Sequence, residues 1–432
     1  MSWRETTLGE ITDLKRGFDL PKSQRLQGDV PVYSSSGITG SNSTAAVEGP
    51  CVITGRYGTI GEVFFSGGPC WPLNTALYST EFNGNNPRFI YYLLQTIPWQ
   101  GYTTASAVPG VNRNHVNLCP VKIPDRATQD AIVEVLDSIV DKIALNNRLN
   151  DYLEQLCQSL FDRFDNDENN LFVKVSDIAD VNPRRTLKKG EEALCVEMAD
   201  LSTTGAFPTD WRTKAYNGGV KFVNGDTILA RITPCLENGK AGYINFLEQD
   251  EVAFGSTEYI VLTSKGELPS EFFYFLARNE DFISYATAHM NGSSGRQRVS
   301  GADVGNYEVR MPSEKQVSEF KEIAGKAMRV ISASSIESRK LAQSRDALLP
   351  KLMSGEIDVS KVDLTQPTNN HLPVRGHNVP NCYWKEPLWK PSLIVFCRRC
   401  RTCLIRHSSN IWPKYSESRC CQLRKHQRRR IC

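Results

Sequence analysis

The chain has 432 residues, room for two or three domains, and its 40% hydrophobic content is enough for real cores. No run approaches the ~18 apolar residues of a membrane span, and the start, Met1-Ser2-Trp3-Arg4-Glu5-Thr6, lacks the apolar stretch of a secretion signal, so the expected location is the cytoplasm, with no membrane contact. The formal net charge of +3 hides an asymmetry: 366–432 holds 14 Lys and Arg against 2 Asp and Glu, leaving 37 basic and 46 acidic residues, a net of −9, in 1–365.

Residues 1–124 read as short strands and turns. Val30-Pro31-Val32-Tyr33 leads into a Ser/Gly turn, and Cys51-Val52-Ile53-Thr54 and Glu62-Val63-Phe64-Phe65 are strand-like around the glycine-punctuated loop Gly55–Gly61. Phe89–Leu94 looks like a short helix with Pro87 near its first turn. From Asp125 to about Phe164, apolar residues recur at steps of four and three: Ile132, Leu136, Ile139, Ile143, then Leu153, Cys157 and Leu160. Asn146 and Asn150 fall on this seam, where polar residues cost stability and fix register.

The chain then says nearly the same thing again. Val111–Pro124 and Val299–Pro312 line up without a gap, 188 positions apart, and each runs into a long helical pattern. Asp226–Arg231 matches Cys51–Arg56, Ser256-Thr257 sits against Asn74-Thr75, Pro269–Leu276 against Pro87–Leu94, and Val175–Ile178 against Leu8–Ile11. The offset drifts through 167, 175, 182 and 188, as loop insertions would make it. Such a period is too long for a solenoid and indicates a duplicated domain plus helix. The second seam, from Ser313 to about Ser354, reads Val317, Phe320, Ala324, Ala327, Ile331, Ser334, Leu341, Leu348 and Leu352, with Pro350 expected to kink or end the helix. Forty residues make a rod of roughly 60 Å. The stripe is too narrow for packing on one domain alone, so the two helices are expected to pair antiparallel as a spacer.

The end is unlike the rest. Residues 366–432 hold seven of the 13 Cys, four of the six His and Arg424–Arg430, without periodicity. Cys397-x-x-Cys400-x-x-Cys403 with His407 has the look of a zinc knot. The competing readings are an aberrant extension, such as a shifted reading frame, and a basic disordered tail touching nucleic acid non-specifically.

Two β-rich domains, each followed by a long helix, with Ile123-Pro124 and Met311-Pro312 at the junctions, resemble the specificity subunit of a Type I restriction–modification system. Leu348–Ile357 is similar to the close of that family's second conserved helix, and Ile228–Pro234 with Gly255–Glu258 resembles its second target-recognition domain. The resemblance covers about 1–365 and implies an α+β fold with a pseudo-twofold internal repeat. Its parts would be target-recognition domain 1 (1–124), a central conserved helix (125–168), target-recognition domain 2 (169–312), a distal conserved helix (313–356) and an atypical tail (357–432). It further implies double-stranded DNA as ligand, each domain reading half of a split asymmetric target. Two modification subunits would dock on the repeats to methylate adenine with S-adenosylmethionine. Restriction subunits would cleave with ATP and Mg. The chain itself would bind no cofactor or metal and catalyse nothing. One added helical turn would move a domain by ~6 Å, roughly two base pairs.

For DNA contact, the residues of choice are Arg56 and Tyr57 between glycines, Asn74, and Asn112-Arg113 in the first domain. In the second they are Arg231, Asn238, Lys240, and Arg296-Gln297-Arg298. Arg reads guanine bidentately, Asn and Gln read adenine, and amides beside glycine reach phosphates. An acidic body implies weak DNA binding by the isolated chain. No Walker loop and no Asn/Asp-Pro-Pro-aromatic tetrapeptide is present; Asn182-Pro183-Arg184-Arg185 comes nearest to the latter and fails. His115 and His289 lack partners at motif spacing and read as ordinary structural residues. The competing functions are a stand-alone methyltransferase or nuclease, against which the missing motifs count, and a structural adaptor without sequence reading.

Overall fold

The fold is taken from a computed structural model, which describes residues 3–103, 110–165, 171–293 and 295–361. The Cys/His-rich tail and its zinc-knot spacing lie outside the described residues. Among the described residues no helix is long and apolar enough to cross a membrane.

The first domain comprises strands β1 (Trp3–Thr7), β2 (Lys15–Arg16), β3 (Val30–Ser34), β4 (Gly37–Asn42), β5 (Cys51–Gly55), β6 (Val63–Ser66), β7 (Trp71–Pro72), β8 (Ala76–Ser79) and β9 (Pro120–Pro124). Its short helices are α1 (Leu8–Ile11), α2 (Pro87–Gln95) and α3 (Arg113–Val116), and it leads into α4 (Arg126–Asp165). The second comprises β10 (Phe172–Lys174), β11 (Ala179–Val181), β12 (Glu192–Val196), β13 (Arg212–Ala215), β14 (Val220–Phe222), β15 (Thr227–Ala230), β16 (Ala241–Tyr243), β17 (Ala253–Gly255), β18 (Tyr259–Ser264) and β19 (Glu308–Arg310). Its helices are α5 (Val175–Ile178), α6 (Glu271–Arg278), α7 (Glu280–Ala288) and α8 (Gly301–Asn306), and it leads into α9 (Glu314–Ser354).

The duplication is visible in the sheets. Strand order β2-β8-β5-β6 in the first domain returns as β11-β18-β15-β16 in the second, and the pair β1-β9 returns as β10-β19. A further sheet β4-β3-β7, with β3 and β7 parallel, returns as β13-β12-β17-β14, with β12 and β17 parallel. Gly55 pairs with Ala76 and Ala230 with Tyr259, so the offset at this point is 183. Thr257-Glu258, one residue on from the sequence match, therefore occupies the place of Asn74-Thr75. Short segments without a fixed anchor slip by one residue in sequence comparison, and only ladder register removes the ambiguity.

The α+β class and the antiparallel helix pair stand as the sequence predicts. Helix α4 starts at Asp125, whose carboxylate accepts from the Thr128 N–H at 2.9 Å, and α9 starts on a Ser313–Gln316 capping box. Asn146 and Asn150 are both buried between the helices. The Asn146 amide donates to Glu337 at 2.7 Å and to the Ser338 hydroxyl at 3.2 Å. Asn150 donates to Ser335 at 3.2 Å and accepts from Ser334. Pro350 does not end α9. The helix runs on to Ser354 and stops at Gly355, whose φ of +79° gives a left-handed cap. The burial of Leu349, Leu352 and Met353 in the first domain's core holds that last turn.

Each domain packs on both helices. Ile132, Val133, Val135 and Leu136 of α4 join Leu349 and Leu352 of α9 in the first domain's core. At the other end, Leu160, Phe161 and Phe164 of α4 join Phe320, Ala324 and Ile331 of α9 in the core of the second. Leu153 and Val317 pack on that core, and Leu348 on the first, from half-buried positions. Ile139, Ile143 and Leu341 are half-buried along the pair. The two domains thus sit at opposite ends of one helical spacer.

Candidate nucleic-acid interface

After β5 and after β15 the chain crosses from a buried strand to a loop, and an arginine stands at the crossing. Arg56 donates its backbone N–H to Thr75 O at 2.9 Å and accepts from the Val111 N–H at 2.9 Å. Arg231 donates to Glu258 O at 3.0 Å and accepts from the Val299 N–H at 3.0 Å. These two bonds place both side chains on the same frame, each at the mouth of an open cleft.

In the first domain the cleft measures about 690 Å³ and gathers Lys15, Arg16, Arg56, Tyr57, Asn112 and Arg113. The Arg56 guanidinium lies 4.7 Å from the centroid of the Tyr57 ring and makes no ion pair among the described residues. Asn112 accepts from the Asn114 N–H at 3.0 Å, capping α3 and turning Arg113 into solvent. Asn74 is occupied instead with Asp19, to which its amide donates. Lys15 and Arg16 also line the cleft, on β2, a two-residue strand too short to leave a periodic trace in the sequence. Lys15 pairs with Glu81, whose hydrogen bond raises the lysine above its ordinary range, and Arg16 meets Asp19 at 3.4 Å.

The corresponding cleft of the second domain measures about 540 Å³ and is lined by Arg184, Arg185, Lys221, Arg231, Thr257 and Tyr259, among others. Asn182, Pro183, Arg184 and Arg185 form one of its walls. Asn182, with φ of +55°, accepts from the Val261 N–H at 3.0 Å and fixes the turn, leaving Arg184 exposed. Arg185 bonds Asp226 at 2.7 Å and Thr263 at 3.0 Å. Burial raises the Asp226 carboxyl above its ordinary range despite bonds from Thr263, the Val223 N–H and Arg185. The Arg231 Nε is buried without a hydrogen-bond partner.

The remaining residues chosen from the sequence divide. Asn238 and Arg296 are exposed and Gln297 is half-buried. Lys240 donates to Met198 O at 2.9 Å, and Arg298 is clamped by Glu258 at 2.7 Å, so both also hold the fold together. His289 bonds Tyr285 O at 2.8 Å and packs on that ring, an ordinary structural role.

Two clefts lined by basic side chains thus stand on a duplicated frame, carried at the ends of a helical spacer. Residues 1–155 match the Type I restriction modification DNA specificity domain. The chain is 29% identical over 147 residues to the EcoEI specificity subunit of Escherichia coli, a match spanning 33% of this chain and 25% of that protein. It is 20% identical over 459 residues to the HindI specificity subunit of Haemophilus influenzae, covering 82% of this chain and 99% of that one. In fold it is similar to the Type I restriction–modification S subunit from M. genitalium, with a TM-score of 0.57, 15% identity, and 82% and 96% of the two chains covered. The first domain with most of its helix is therefore similar to the DNA specificity domain, and the chain as a whole is similar to Type I specificity subunits.

Proposed function

We propose that this chain is the non-catalytic, sequence-reading subunit of a Type I restriction–modification complex, in which each domain contacts one half of a split, asymmetric double-stranded DNA target. The observation that carries this is the equivalent placement of Arg56 and Arg231 in two clefts on one spacer. Two modification subunits dock on the repeats and bring S-adenosylmethionine. Restriction subunits, with ATP and Mg, join the same assembly, and all of this takes place in the cytoplasm. An asymmetric chain with pseudo-twofold symmetry can offer equivalent surfaces to two identical partners.

The surface also offers a protein contact. Leu145, Leu149, Tyr152 and Leu156 of α4 are 54%, 42%, 69% and 48% exposed and follow each other at steps of four, three and four. Such a stripe on a water-facing helix is the mark of a partner helix. The net charge of −9 over 1–365 fits an assembly in which the modification subunits supply most phosphate contacts.

The test is co-expression with the neighbouring modification gene, followed by mapping of methylated adenine by single-molecule sequencing. A split motif with a fixed gap is expected. A complex that forms but methylates without sequence preference would instead establish the structural adaptor.

A further inference from the structure

The two copies share a backbone frame but differ in three side chains that stand in it beside the arginine. In the first domain these are Tyr57, Thr75 and Gly110; at the same ladder positions the second has Ile232, Glu258 and Arg298. The bridge Tyr57–Gly110 corresponds to the bridge Ile232–Arg298.

The three differences are coupled. A Cβ on Gly110 would lie 2.3 Å from the Tyr57 ring, so the ring occupies its place only over glycine. In the second domain the smaller Ile232 stands where Tyr57 does, and the guanidinium of Arg298 needs a counter-charge, which Glu258 supplies. Arg298 Nε donates to both carboxylate oxygens at 2.9 Å, Nη2 donates to Oε1 at 2.7 Å, and Nη1 donates to Arg296 O at 3.0 Å. Those bonds hold the Glu258 carboxyl below the usual carboxylate range, so it remains an acceptor at neutral pH. A carboxylate has about four acceptor sites, and Arg298 leaves Oε2 with one to spare. The pair is accessible, with side chains 25% and 39% exposed.

We infer that positions 57/232, 75/258 and 110/298 are specificity-determining, and that the second domain uses Glu258, oriented by Arg298 and beside Arg231, to read a G·C base pair. This rests on the DNA-reading function proposed above. A carboxylate accepts from the cytosine N4 amine and an arginine donates to guanine O6 and N7, so an adjacent acidic and basic side chain match both members of one pair. The first domain has threonine in place of the acid, and there Arg56 lies on an aromatic ring. The two half-sites are therefore read with different chemistry on one scaffold.

The experiment uses the full chain co-expressed with its modification subunits and reads the methylated motif by single-molecule sequencing. Glu258→Gln keeps the shape and replaces one acceptor oxygen with a donor. It is expected to relax the preference at one G·C position by about tenfold, within the ~5- to 150-fold that one base contact of ~1–3 kcal/mol is worth. The change should fall in one half of the motif, while Arg56→Ala acts in the other. The exchange Tyr57→Ile/Thr75→Glu/Gly110→Arg should introduce a G·C preference in the first domain's half. An unchanged motif in both Glu258→Gln and the exchange variant overturns the inference. If Glu258→Gln abolishes methylation outright, the exchange variant decides, a new G·C position supporting the inference and an unchanged motif overturning it. Absence of any split motif with the unaltered chain removes the DNA-reading function itself, and this inference with it.

Discussion

Tyr92 and Tyr274 stand at matched positions in the two domains, and each donates its hydroxyl to a carboxylate of the same helix, Asp137 and Glu154 of α4. Each carboxylate has an arginine from the same domain beside it: Arg88 Nε bonds Asp137 at 3.1 Å, and Arg278 Nε lies 3.9 Å from Glu154. At the 188-residue offset, the counterpart of Asp137 on α9 is Gly325, which carries no acceptor. The second domain therefore reaches across to α4. Its anchor lies 17 residues beyond the first, about 25 Å along the helix.

The first anchor predicts a graded response. Tyr92→Phe removes one hydrogen bond and should cost about 1 kcal/mol. Asp137→Ala leaves the half-buried Arg88 guanidinium without its carboxylate and should cost about 2–3 kcal/mol. Denaturant unfolding of the two variants checks the order; equal costs would mean that the ion pair adds nothing.

If the helix pair sets the gap between half-sites, both helices must lengthen together. Four residues inserted after Ile143 in α4 and after Leu341 in α9 add one turn on each side of the pair. The gap in the methylated motif should grow by at most about two base pairs, since one turn is ~6 Å against ~3.4 Å per base pair. An unchanged gap, with methylation intact, would show that the partner subunits fix the spacing.

The exposed stripe predicts a loss of assembly without a loss of fold. Leu149→Asp with Tyr152→Ser should leave the melting temperature within about a degree or two, because both side chains face solvent. Binding of modification subunits should weaken about tenfold or more, the scale of an interface anchor. Undiminished co-purification would place the docking surface elsewhere.

Acid should loosen the spacer through Glu337. The Asn146 amide, and after it the Lys142 ammonium at 3.2 Å, hold this carboxyl below the usual carboxylate range. A depressed folded pKa stabilises at pH values above the unfolded value of about 4.3, and the contribution is lost as pH falls through the folded value. The stability difference between the native chain and Glu337→Gln should therefore be widest near neutrality and close below about pH 4. A difference independent of pH would rule out the charge as its source.

The sequence carries the duplication, both long helices, the seam asparagines and the arginines at 56 and 231. The helices are patterns of local spacing: a helix buries one stripe, so its period appears in the chain whatever it packs against; the duplication and its paired arginines are the same local pattern met again 167 to 188 positions on. Asn146 and Asn150 are legible for the same reason, as polar interruptions of an apolar period.

What the charged residues do is decided only in three dimensions. Lys15 meets Glu81, Arg185 meets Asp226, and Arg298 meets Glu258, partners 66, 41 and 40 positions apart. No periodicity records such distances, because each pair closes through a sheet whose register depends on the whole domain. An arginine left over a tyrosine ring and an arginine clamped by a glutamate look alike in the chain. Their difference comes from the residue that folding brings to the side of each.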